Sequence, residues 1–188
     1  MLKKIKETEL LRTPVFTVVE KEFEGTDFKP VGLNCNDWVM VMIKDSVKNE
    51  WLFVKQTRWG EETQTVELPC GTVENHEVET FGIENARKYA AIREVEEETG
   101  LNIADSSIEL LKVFNPNPAY FNNRMSIFYV EVPNLKEVFN KHKNELHLDP
   151  DEDCQPFIGG LNDFARLEEH SLGMNAKYAY CQKKGVLV

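Results

Sequence analysis

Short apolar runs alternate with polar, glycine- or proline-marked breaks along most of this chain. Residues 12–24 (RTPVFTVVEKEFE) place Val15, Phe16, Val18 and Val19 in a stretch that reads as a strand. Residues 39–43 form an uninterrupted apolar run, the mark of a buried strand. The polar SVKNE follows and WLFVKQTR returns, so the spacing predicts a hairpin. A short strand over 65–69 leads into Cys70-Gly71. From 83 to 99 the period becomes helical. Tyr89, Ile92 and Val95 are the expected core stripe, Ala86 and Ala90 allow close packing, and Gly100 supplies the left-handed residue that ends the helix. Residues 108–114 and 125–132 are further strands on either side of the turn-rich NPNPAYFNN. A short helix is expected over 135–146, then the acidic loop DPDEDC, then two helices over 163–170 and 175–183 with Gly185 just past the second. Strands in hairpins with helices between and after them predict an α+β chain, a mixed sheet with helices packed on its faces.

One stretch does not fit a purely structural helix. In REVEEETGL, Glu94, Glu97 and Glu98 fall at i, i+3 and i+4 and share one face. Like charges at that spacing cost a few tenths of a kcal/mol per pair. They also sit toward the helix C-terminus, the end that disfavours anions. A solvated acidic face is the plain account of such a run. The chemical account is a hard divalent cation held by carboxylate oxygens. Arg93, four residues before Glu97, is placed to brace the cluster, and the turn at Pro69-Cys70-Gly71 can bring backbone close to it.

The surrounding pattern resembles a known family. GTVENHE followed by AAIREVEEETGL is similar to the Nudix box, G-x5-E-x7-R-E-U-x-E-E-x-G-U. Arg93, Glu94, Val95, Glu97, Glu98, Gly100 and Leu101 match its second half, and Gly71 to Glu77 matches its first. Fifteen residues separate Glu77 from Arg93 where the pattern has seven, so an insertion of eight is expected within VETFGIEN, and either Glu77 or Glu84 stands for the first box glutamate. VKQTRWGEETQTVELPCGTVE is similar to the E-L-P-A-G stretch of ADP-ribose and nucleotide-sugar pyrophosphatases, with Cys70 at the alanine. PNPAYFNNRMSIFYVEV resembles their P-G-x-S-x-E segment, with Ala119 for the glycine and Asn123 near the glutamate's place. The closing helices and the acidic loop are similar as well, so the likeness spans roughly residues 37–183.

This resemblance implies an α/β/α sandwich around a mixed β-sheet. It divides the chain into an N-terminal strand segment, 1–35, suited to dimerisation, and a Nudix domain, 36–188. It implies a Mg2+- or Mn2+-dependent hydrolase that cleaves a nucleoside diphosphate sugar, such as ADP-ribose or GDP-mannose, to a nucleoside monophosphate and a sugar phosphate. Glu94, Glu97, Glu98 and the Cys70 carbonyl would be metal ligands. Glu98 and Arg93 would be catalytic, with Glu152 of the acidic loop as general base. Arg58 would contact the diphosphate or its sugar phosphate, or be a strand-end surface charge; Trp59 would stack on a base or pack at the rim. A dinucleoside polyphosphate or modified NTP as substrate, and a non-catalytic nucleotide-sugar sensor, are the alternatives.

Composition narrows the partners. A formal net charge of −10 over 188 residues argues against nucleic acid and anionic membranes as partners. No apolar run is long enough to span a bilayer, and the N-terminus lacks a secretory apolar stretch, so a cytoplasmic location is expected. Cys35, Cys70, Cys154 and Cys181 form no CxxC pair and read as reduced thiols. His142 and His147 lack a partner cluster and read as polar surface residues. There is no Walker A loop, HExxH or G-x-S-x-G.

Overall fold

The computed structural model describes residues 3–148 and 153–185. Two antiparallel hairpin steps open the chain. Strands β1 (Lys4–Arg12), β2 (Phe16–Phe23) and β3 (Val31–Cys35) form a three-stranded sheet in that order. The strand expected over 12–24 therefore begins later, and the unassigned N-terminal residues pair with it. Pro14 explains the break: the Thr13 hydroxyl donates to Phe16 O and accepts from Phe16 N, closing a turn that leaves Val15 exposed.

The second sheet has seven strands: β4 (Trp38–Asp45), β5 (Trp51–Arg58), β6 (Thr63–Glu67), β7 (Cys70–Thr72), then, after two helices, β8 (Glu109–Phe114), β9 (Met125–Val132) and β10 (Gln155–Gly159). Its backbone order is β10-β5-β4-β9-β8, with β6 on β5 and β7 on β4. The β4–β9 pair is parallel and its other pairs antiparallel, so the sheet is mixed. The unbroken apolar run in β4 has a direct cause. Val39, Val41 and Ile43 face one helical layer, and Met40 and Met42 face the other.

On the first face lie α1 (Asn75–Phe81), α2 (Ile83–Thr99) and α3 (Leu135–His142); on the second, α4 (Leu161–Arg166) and α5 (Ser171–Lys184). This is the α/β/α sandwich. Helix α2 matches its expected span, but its buried stripe differs. Ala86, Ala90, Ala91 and Val95 reach the core, while Tyr89 is 49% exposed and packs at a tilt against Phe81 with ring centroids 4.9 Å apart. Small residues carry the contact because α2 lies close against β4 and β7, leaving no room for a tyrosine. The inserted residues form α1 and the break at Gly82. Strands β3, β7 and β10 were not marked by any apolar alternation long enough to read. Of the two closing helices, the first is shorter than expected and passes through a 3-10 turn, Leu167–Glu169; the second starts four residues early.

Two contacts fix how α2 and α3 sit on the sheet. Gly100 has φ +71, and a Cβ there would lie 2.3 Å from the His142 carbonyl oxygen at the end of α3. Gly100→Ala is expected to cost roughly 2 kcal/mol or more, read as a lower midpoint in urea unfolding. Asp45, 1% exposed, accepts from Val47 N and Lys48 N through Oδ1 and from Leu135 N through Oδ2 at 2.8–2.9 Å. The Lys48 amide, with those of Val47 and Leu135, outweighs burial and holds this carboxyl below the usual aspartate range. A depressed folded pKa means that the stabilisation is present above the unfolded value and is lost as pH falls through the folded one. Asp45→Asn should lower stability at pH 7 by about 1–2 kcal/mol and flatten the loss of stability below about pH 4, measured by urea unfolding across pH.

Candidate active site

The C-terminal half of α2 faces the β6–β7 connection, and the glutamates of the acidic run are spent there. Glu98 is 1% exposed, and its Oε2 accepts from Cys70 N at 3.0 Å. Glu94, 8% exposed, lies against Gly71, where a Cβ would come within 2.0 Å of its carboxylate. Only glycine lets β7 pass so near that side chain. Arg93 binds the group together. Its Nε donates to Glu77 Oε1 at 2.9 Å, its Nη1 meets Glu94 Oε1 at 2.9 Å and Glu97 Oε2 at 2.7 Å, and its Nη2 donates to Thr72 O at 2.9 Å. Burial opposes the charge of Arg93, but Glu94, Glu77 and Glu97 outweigh it and raise its pKa above the ordinary arginine value. The crowding of carboxylates toward the end of α2 is thus relieved by one guanidinium and by the Cys70 backbone N–H.

Glu77, fully buried, is the glutamate that meets Arg93; its other oxygen accepts from Glu74 N at 2.8 Å. Glu84 stands exposed in the first turn of α2. The insertion therefore leaves the Gly71–Glu77 half-box in contact with the helix and adds its extra turns beyond it.

These groups border a cleft of about 650 Å³. Glu94, Glu97, Arg93, Cys70 and Gly71 line one side, and Trp38, Met125 and Leu172 add apolar surface. Glu98 lies beneath the floor. Arg58 also reaches the cleft, but as a partner of Glu67: Nε to Oε1 is 2.7 Å and Nη2 to Oε2 is 2.6 Å. The Thr65 hydroxyl donates to the same carboxylate. Burial alone would raise Glu67, yet the Arg58 hydrogen bonds hold it below the usual glutamate range, and Glu67 in turn raises Arg58. Arg58 is thus no loose strand-end charge. Trp59, 80% exposed, sits at the mouth.

The matched family model is the NUDIX domain, over residues 34–155. The chain belongs to the Nudix family. A solved structure of an ADP compounds hydrolase shares the fold, with a TM-score of 0.66 and 18% identity over 99% of this chain and 97% of that one. No curated protein matches the sequence.

Nudix proteins generally use divalent metals, and the residues here suit one. Carboxylate oxygens are the right donors for Mg2+ or Mn2+. The glycine at 71 keeps open a cradle that any side chain would fill. Among the described residues no three acidic, histidine or cysteine side chains already converge as an ion cage. Arg93 meets Glu94 and Glu97 in this arrangement, and Cys70 N–H engages Glu98.

Other expected site residues fall differently. Glu152 lies outside the described residues. Its neighbour Asp153 is anchored on β5, accepting from Thr57 N at 2.9 Å and from the Thr57 hydroxyl. Asn123 is 2% exposed and donates to Asn36 O, away from the cleft. His147 lines the cleft, and its backbone N–H donates to Glu97 O at 3.0 Å. Sequence reasoning missed Glu67, Gln56 and His170. The first two were within reach: in the β5–β6 hairpin, residues 56, 58, 65 and 67 share a face. His170 caps α5 by accepting from Gly173 N and lines the cleft only through tertiary packing. No helix among the described residues is long and apolar enough to cross a membrane.

Proposed function

We propose that this Nudix protein is a divalent-metal-dependent hydrolase of nucleoside diphosphate sugars, such as ADP-ribose or GDP-mannose. The observation that carries the reading is the packing of Glu94 and Glu98 against the Gly71 and Cys70 backbone, with Glu97 beside them at the cleft. Glu94, Glu97, Glu98 and the Cys70 carbonyl would hold Mg2+ or Mn2+. A bound cation would polarise the diphosphate and lower the pKa of the attacking water.

The chain's own residues account for the rest. Arg93 keeps the carboxylates apart in fixed positions, and Glu98 holds the β7 backbone in register with α2. Arg58 and Trp59 border the cleft where the diphosphate and a base would lie. Glu152, next in sequence to the anchored Asp153, would take the water's proton. Water oxygen bonds to one phosphorus, the bridging oxygen leaves with the other, and the products are a nucleoside monophosphate and a sugar phosphate. The ADP compounds hydrolase with the same fold is consistent with this class.

The reading includes a cytoplasmic homodimer. Among the described residues strand β1 pairs on one edge only and leaves Ile5, Leu10 and Leu11 more than half exposed, a surface suited to a second copy. The function is tested by incubating the protein with ADP-ribose, GDP-mannose, UDP-glucose and a dinucleoside polyphosphate, with Mg2+, Mn2+ or chelator. Metal-dependent release of a nucleoside monophosphate and a sugar phosphate is expected. Turnover of the dinucleoside polyphosphate alone, or turnover unaffected by chelator, contradicts it.

A further inference from the structure

The charge arrangement of the cleft says more about what enters it. Among the described residues, five glutamates line it (Glu61, Glu67, Glu74, Glu94 and Glu97) against two arginines, the two histidines His147 and His170, and no lysine. Both arginines are already engaged: Arg58 by Glu67, and Arg93 by Glu77, Glu94 and Glu97. Among the described residues lining the cleft, no arginine or lysine is left without a carboxylate partner. The neutral Gln56, 9% exposed, lines the same cleft, and its Oε1 has no hydrogen-bond partner. A buried amide oxygen without a partner loses free energy until a donor reaches it.

We infer that the cleft selects diphosphate esters whose two end groups are uncharged and hydroxylated, and discriminates against the same ester carrying an added phosphate on either end. The inference rests on the reading of the cleft as a diphosphate-ester site and names its selectivity. The diphosphate itself is balanced by the divalent cations that Nudix proteins use. An added monoester brings about 1.5–2 further negative charges. It would meet glutamates and arginines that are already neutralised, in a cleft whose walls raise the effective interaction. A hydroxylated sugar instead offers O–H donors to Gln56 and to the carboxylates.

The test compares ADP-ribose with ADP-ribose 2′-phosphate and ADP-ribose 1″-phosphate, one added phosphate at each end. Binding is read from the KM of ADP-ribose and from each phosphorylated ligand's inhibition of its turnover, and kcat/KM is measured for all three, in the unmodified protein with Mg2+. The phosphorylated ligands are expected to bind at least about tenfold more weakly and to be cleaved correspondingly less well. Glu67→Gln, which removes the countercharge from Arg58, should narrow that gap several-fold. Glu61→Lys, a change at an exposed turn, should narrow it for at least one of the two ligands. Equal or tighter binding of the phosphorylated ligands, with ADP-ribose itself bound and cleaved, overturns the inference while leaving the hydrolase reading in place. A gap that neither variant narrows overturns the charge argument. Failure of all three ligands to bind overturns the reading of the site and the inference with it.

Discussion

Replacing Glu98 by glutamine should cut metal-dependent turnover by on the order of 10²–10³-fold while leaving the melting temperature within about 3 °C of the parent. The two halves of this expectation come from the same geometry. Glu98 is 1% exposed, and a carboxylate buried to that degree is costly to keep ionised. Glutamine has the same shape, and its amide oxygen can still accept from Cys70 N, so the β7 backbone keeps its place against α2. Loss of a buried charge can even relieve desolvation. What disappears is negative charge beneath the cleft floor, where a divalent cation would feel it through a low-dielectric medium. Parallel loss of activity and of thermal stability would mean that Glu98 is a structural residue only. Unchanged activity would remove it from the chemistry.

Gly71→Ala should be nearly as severe, with a loss of about 10²-fold, and for a steric reason. The added Cβ would fall 2.0 Å from the Glu94 carboxyl carbon and Oε1. Glu94 cannot retreat freely, since Arg93 holds it and α2 is packed against the sheet behind it. Either β7 moves away or the carboxylate turns, and a displacement of about 1 Å at a reacting centre costs on that scale. The expected signature is a fall in kcat together with a higher metal concentration for half-maximal activity. Far-UV circular dichroism should be unchanged, because only a three-residue strand is disturbed. A Gly71→Ala protein with parental kinetics would show that Glu94 does not need its present position.

Much of the fold is legible in the residues because local and tertiary signals agree. The β4 run is apolar throughout because both sheet faces are covered, and the helical period over 83–99 ends at a glycine that does adopt a positive φ. The misreadings share a different cause. Tyr89 has the spacing of a core residue, but the alanines flanking it draw α2 too close to β4 and β7 for an aromatic ring. Strand β7 has three residues and no alternation to detect; it exists because β4 offers it an edge. Strand β1 is polar at most positions and is defined by its pairing with β2.

The site divides along the same line. Arg93 and the three glutamates of α2 could be read from spacing, since a helix fixes which side chains share a face. The choice of Glu77 over Glu84 could not, because it depends on α1 folding back so that Glu77 reaches Arg93 across sixteen positions of sequence. The Arg58–Glu67 pair required the hairpin register, and His170 required the docking of α5.

The most direct test of the central claim is anomalous diffraction from crystals soaked in Mn2+. The account predicts a manganese peak in the cleft between the α2 glutamates and the Cys70-Gly71 backbone, lost in Glu98→Gln crystals. A peak elsewhere on the protein, or none in crystals that have bound ADP-ribose, would contradict it.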